Sequence, residues 1–358
     1  MNFPVFDLHC DTACALLGED LQQAGSLRKN AYHIDLERAK SLPSYAQCFA
    51  CFTTPRTNRP GGTTDTQLFE REMVSVLREV EKNKDWISLI YNAKEIEENR
   101  RNGKMSAILT IEGPAGFDFD PALLEDLYKI GFRITTLGWN EQNVLAGSHK
   151  TGGGLTDQGR EFVREAQRLG MLVDVSHISD EAFWDIMDIT TAPVIATHSN
   201  SRFVCNNSRN LTDEMFLEIC KTGGVAGINM GAQFVGHNAT LETVCDHILH
   251  YLELDPTGKH IALGGDLDGC DALPEGFAGV QDYPLLAQQL LRRRRFLQNL
   301  RDGLPVTSRL QQQIRPIEPG ALAQIHGGQA AHIATHHGDA AGLQRLAQML
   351  EGAADVHV

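Results

Sequence analysis

Six side chains able to hold a metal ion each follow a short apolar run. They are His9 and Asp11 in DLHCD, Glu112 in TIEG, His177 in VDVSH, His198 in VIATH and Asp266 in ALGGD. Imidazole and carboxylate without thiolate suit a borderline cation such as zinc. His9 and Asp11 are two apart on an extended segment, so they point the same way and can chelate one ion. His177 and His198 can hold a second. Glu112 is the candidate bridge. Two such ions share a hydroxide, which is a nucleophile at neutral pH. Taken singly, each group has a plain alternative: H-x-D is a common chance pair, a lone histidine is an ordinary loop group, and Glu112 could cap a helix. Together they form a constellation, because charges are costly to bury unless paired or metal-bound.

Such a constellation needs elements that bring distant residues to one place. Eight short apolar runs occur at 3–8, 46–52, 105–111, 133–137, 171–175, 193–197, 224–229 and 260–264. They lack polar alternation, which predicts strands buried on both faces, as in parallel sheets. Amphipathic helices alternate with them. Thr156, Ser179 and Thr212 each precede acids and an apolar periodic run, as N-caps do, and Gly131 and Gly170 mark helix ends. Eight such units predict a closed (β/α)8 TIM-like barrel with its active site at the carboxyl ends of the strands, and the six metal-binding groups at those ends make it one of the metal-dependent hydrolase type. An open doubly wound sheet is the alternative, but no G-x-G-x-x-G follows the first strand. The segment 55–103 reads as an insertion after the second strand, and the catalytic barrel as residues 1–290.

Composition narrows the function further. The net charge of −14 disfavours a nucleic-acid or anionic-membrane surface. No apolar run is long enough to span a bilayer, and the N-terminal segment shows no secretory pattern. The eight cysteines are therefore expected as reduced thiols of a cytoplasmic protein. Cys48 and Cys51 lack the second C-x-x-C of a zinc ribbon and read as buried strand residues. Glycines 152–154 lack the Lys-Ser/Thr of a phosphate loop and read as a flexible rim loop. His149, His247 and His250 are expected at the surface. No G-x-S-x-G elbow supports a serine hydrolase.

The segments DLHCDT, IEGP, LVDVSHISD, APVIATHSNSRFVCNNSRNLTDE and ALGGDLDGCD resemble the renal (membrane) dipeptidase family, in that family's order. The resemblance implies a two-zinc dipeptidase. His9, Asp11 and Glu112 would bind one zinc, and Glu112, His177 and His198 the other. Arg209 would hold the substrate carboxylate, and Asp266 would be the acid beside the bridging hydroxide. It also implies a homodimer and tolerance of a D-residue on the C-terminal side of the substrate. Chemistry agrees, since a guanidinium forks bidentately onto a carboxylate. In the loop after the fourth strand, Trp139 stands where animal relatives carry a histidine, so Trp139 and Asn140 are pocket candidates. Two other readings fit these residues: hydrolysis of another small carboxylate-bearing amide or lactam such as an N-acyl amino acid, and a catalytically impaired metal-binding barrel.

From about residue 291 the family's pattern stops. The stretch 291–358 carries four arginines at 292–295, has no lysine, cysteine, tyrosine or tryptophan, and holds eight glutamines and five histidines. It reads as a divergent, poorly packed tail. A metal-storing or partner-binding tail and the product of a shifted reading frame are the alternatives.

Overall fold

The computed structural model describes residues 4–56 and 59–301, with the side chains of 295–301 left out. The expectation for the tail lies outside the described residues from 302 onward. The described residues include eleven strands: β1 Val5–Cys10, β2 Tyr45–Phe52, β3 Ile87–Leu89, β4 Met105–Glu112, β5 Phe132–Thr136, β6 Ala146–Ser148, β7 Gly152–Leu155, β8 Leu172–Asp174, β9 Val194–Ile195, β10 Ala226–Ile228 and β11 Ile261–Leu263. Eight of them fall on the eight apolar runs. They pair in parallel in the order β10-β11-β1-β2-β4-β5-β8-β9. The two ends meet at a parallel bridge between Ala196 and Ala226, so the fold is a nearly closed (β/α)8 barrel. At this seam Gly227 and Gly264 both lie against the Thr197 carbonyl, where a Cβ would overlap it.

Alternation along the strands separates two apolar layers. Leu8, Cys48, Ile108, Ile134 and Ile195 cluster apart from the main core. They come from five strands whose shared neighbourhood is the barrel axis. On β4, residues 108, 110 and 112 share a face, so the face that lines the barrel with Ile108 ends in Glu112. Residues on the other face, such as Leu109, Phe132, Val173 and Val194, join the core packed against the helices.

The expected helix caps form. Thr156, Ser179 and Thr212 accept from the backbone N–H of Gly159, Ala182 and Met215, each worth about 1 kcal/mol. The segment 55–103 supplies helix Asp65–Lys82, β3 and helix Ala93–Arg101. It is built into the sheet, because β3 pairs with the first residues of β4.

Three expectations need correction. Residues 152–154 are not a flexible loop but the strand β7, antiparallel to β6. His247 is fully buried: its Nδ1 accepts from Ser201 N–H at 3.1 Å and its Nε2 donates to the Val235 carbonyl at 2.9 Å. His149 is half-buried and belongs to the site described below. Among the described residues no helix is long and apolar enough to cross a membrane.

Candidate metal centre and substrate pocket

The six predicted groups converge at the carboxyl ends of β1, β4, β8, β9 and β11. His9 Nε2 lies 3.4 Å from Asp11 Oδ2, 3.3 Å from Glu112 Oε2 and 3.9 Å from Asp266 Oδ1. His177 Nε2 is 2.9 Å and His198 Nε2 3.7 Å from Glu112 Oε1. Glu112 thus faces His9 with one oxygen and the histidine pair with the other. The His9 and His198 rings stack at 3.7 Å. All six residues are buried.

Backbone strain marks the same place. His177 and Asp266 have φ of +72° and +54°, conformations that cost a non-glycine residue about 1–3 kcal/mol and collect at functional sites.

Hydrogen bonds behind the ring set the tautomers. Asp174, at the end of β8, accepts from the Thr197 N–H at 2.8 Å and from the Thr197 hydroxyl. A hydroxyl has one proton, so Thr197 Oγ1 must accept from His198 Nδ1, 2.6 Å away. That leaves His198 Nε2 with its lone pair. Asn140 Oδ1 likewise takes Nδ1 of His177 at 3.2 Å. The two Nε2 atoms then face each other at 2.9 Å. Two lone pairs cannot bond each other, and a cation between them resolves the contact. Burial holds both imidazoles well below the usual histidine range, helped by the Arg209 charge at His177 and by His9 at His198. Both are thus neutral, the form that binds metal.

His9 behaves oppositely. Burial pulls its pKa down, but the Glu112 and Asp11 carboxylates beside it outweigh that and push the ring well above the usual range. Its Nε2 is buried with no hydrogen-bond partner among the described residues. The carboxylates around it are those that would bind a cation. The donor set therefore fits divalent ions. His9, Asp11, Asp266 and His9, Glu112, His198 each bring ligand atoms within 4.8 Å of one another.

Asp266 accepts from Asn229 Nδ2 at 3.0 Å. Burial and then the Asp11 charge push its carboxyl up to about 7. Arg209 is only 3% exposed. Its Nη1 donates to Ser199 Oγ at 2.7 Å, while Nε and Nη2 are buried without a partner among the described residues. A buried guanidinium with two idle donors is set up for an acceptor that comes from outside. Trp139 packs edge-on against Phe52 at 5.1 Å, with its ring 6.2 Å from that of His177. Asn140 Oδ1 also takes Nε2 of His149 at 2.8 Å. Both loop candidates thus border the cluster. Sequence reasoning missed Asp174, Thr197, Asn229 and His149. Two of them stood in view without a rule to single them out: Asp174 lies three residues ahead of His177 in VDVSH, and Thr197 directly ahead of His198 in IATH.

A model of the membrane dipeptidase family (peptidase family M19) matches residues 1–302. The chain belongs to that family. Among proteins similar in sequence, an uncharacterized dipeptidase of Schizosaccharomyces pombe is 36% identical over 196 residues, 53% of this chain and 48% of that protein. An uncharacterized protein of Klebsiella pneumoniae, encoded in the pqqA 5′ region, is 34% identical over 219 residues, 57% of this chain and 80% of that protein. The match spans about half the length of the S. pombe relative. A solved metallo peptidase from Rhodobacter sphaeroides, liganded with a phosphinate mimic of the dipeptide L-Ala-D-Ala, superposes with a TM-score of 0.72 at 25% identity, covering 82% of this chain and 93% of that one.

The relay behind His198 yields a test. Thr197→Val keeps the shape and removes the hydroxyl, so Nδ1 loses its acceptor. The expected result is metal affinity about 10- to 100-fold weaker, read by competition with a chromogenic chelator. An unchanged affinity would show that the relay does not orient the ligand.

Proposed function

We propose that this M19 member is a two-zinc dipeptidase cleaving L-Xaa-L-Xaa and L-Xaa-D-Xaa substrates. His9, Asp11 and Glu112 would hold one ion, and Glu112, His177 and His198 the other. When bound, the pair supplies a hydroxide nucleophile and polarises the scissile carbonyl. The chain's own groups do the rest. Arg209 grips the free C-terminal carboxylate through Nε and Nη2 and so fixes the position of the peptide bond. Asp266 takes the proton released on attack and passes it to the leaving amine. Trp139 and Asn140 wall the pocket.

The observation that carries this reading is the buried Arg209 with two idle donors beside the histidine–carboxylate cluster. The L-Ala-D-Ala mimic in the Rhodobacter relative supports tolerance of a D-residue. Arg209 recognises a carboxylate, which N-acyl amino acids also carry, so their hydrolysis is the second reading.

The test is a panel of L-L and L-D dipeptides and N-acyl amino acids given to zinc-loaded protein, beside His177→Ala and a chelator control. Dipeptide turnover lost in both controls is expected. Turnover of the acyl amino acids alone would install the second reading. No turnover with two zincs bound would leave a catalytically impaired metal-binding barrel.

A further inference from the structure

A second group of metal-ligand side chains lies at the opposite end of the barrel. Cys220 sits near the end of helix Asp213–Thr222, Asp255 follows helix Leu241–Leu254, and His260 immediately precedes β11. His260 O accepts from Ala226 N–H at the start of β10, so the group flanks the amino ends of the strands, away from Glu112 and its partners. One ligand atom from each of the three residues lies within 4.8 Å of the others.

Each member is prepared. His260 Nδ1 is 2.7 Å from the Gly224 carbonyl. A carbonyl only accepts, so Nδ1 carries a proton and Nε2 is the nitrogen left for a ligand bond. This backbone anchoring of the second ring nitrogen is what metal-bound histidines show. Asp255 is 9% exposed. Its Oδ1 accepts from the Thr257 hydroxyl at 2.6 Å and the Thr257 N–H at 3.1 Å, which fixes the side chain. Its Oδ2 is buried with no partner among the described residues. An idle carboxylate oxygen away from water is costly, and a cation is its natural complement. Cys220 is half-buried, so solvent can reach the group. Burial and then the Asp255 charge push its thiol up to about 12. The same negative surroundings attract a cation, which displaces the thiol proton on binding.

We propose that Cys220, Asp255 and His260 form a distinct binding site for a borderline divalent cation of the zinc class, with water as fourth ligand. One thiolate, one carboxylate and a neutral imidazole balance a double positive charge, and sulfur, nitrogen and oxygen donors together select this class over magnesium or calcium. The ion would tie two helix ends to the start of β11. The site is independent of the catalytic reading.

Cobalt(II) separates the two centres, because the catalytic cluster offers nitrogen and oxygen only and a thiolate adds a near-ultraviolet charge-transfer band. Titrating the whole protein with cobalt should raise that band. It should be lost in Cys220→Ser and in His260→Ala, and kept in His177→Ala. Cys220→Ser should also bind one equivalent less metal while retaining wild-type turnover. In a His177→Ala background, zinc should raise the melting temperature more with Cys220 in place than after Cys220→Ser. No band in the wild type, or a band that survives Cys220→Ser, overturns the proposal. A circular-dichroism check that His260→Ala is folded keeps that arm interpretable, and Cys220→Ser carries the test if it is not.

Discussion

Exchanging Arg209 for methionine should lower kcat/KM for dipeptides by about 10²- to 10³-fold while leaving the melting temperature level or raising it. The two halves have one cause. Losing one side of a buried charged pair costs about 2–5 kcal/mol of complex stability, and about 1.4 kcal/mol is a factor of ten. In the free protein the same guanidinium is buried, makes one side-chain bond to Ser199 and leaves two donors idle. An apolar replacement of similar length removes that desolvation burden, an exchange often neutral or stabilising. A double comparison isolates the contact. Against a peptide whose C-terminal carboxylate is amidated, wild type and variant should be nearly equal. Kinetics on both substrates and a thermal melt decide it. A lower melting temperature with unchanged kinetics would show that Arg209 is structural.

Asp266→Asn should reduce kcat by about 10²- to 10⁴-fold, the span of general acid–base catalysis, with KM and metal content kept. The amide is isosteric and can still accept from Asn229 through its oxygen, so the loop should hold. Asp266 also lies within ligand range of His9 and Asp11, which makes metal content the deciding readout. Loss of an ion together with activity would make Asp266 a ligand instead of a proton carrier. Atomic absorption beside steady-state kinetics distinguishes the two.

The strands and the converging histidines and carboxylates were legible because one physical fact serves both. Parallel strands are buried on two faces and read as unbroken apolar runs, so a charged residue ending a run stands out. Caps were legible through their hydroxyls and following acids. Other parts were not. β3 is only three residues, ISL, and its partner on β4 decides its fate. The glycines of β7 carry no strand propensity and are held by β6. His247 illustrates a signal passed over. Val244, Ile248 and Tyr251 of its helix are buried with it, a helical stripe in which position 247 lies inside. Its polar type suggested surface, but Ser201 N–H and the Val235 carbonyl satisfy it within. Asp174 and Thr197 act through His198, and no rule of residue type assigns such a relay before the strands are aligned.

Asp7 lies two residues before His9, and its position has a bearing on how the chain matures. Its Oδ1 accepts from Gly265 N–H at 2.9 Å and its Oδ2 from the Tyr283 hydroxyl, 276 residues further along the chain. β1, which leaves the ribosome ahead of the other strands of the barrel, therefore finds its β11 neighbour and its anchor only when the barrel is almost completely synthesised. Contacts of such sequence separation form late, since a long loop must close before any of them is rewarded. His9 and Asp11 emerge early as an ordinary polar pair and acquire the company of Asp266 at the final closure. The six groups thus come together only as the last act of folding, and a nascent or partly folded chain holds the site in two separate parts.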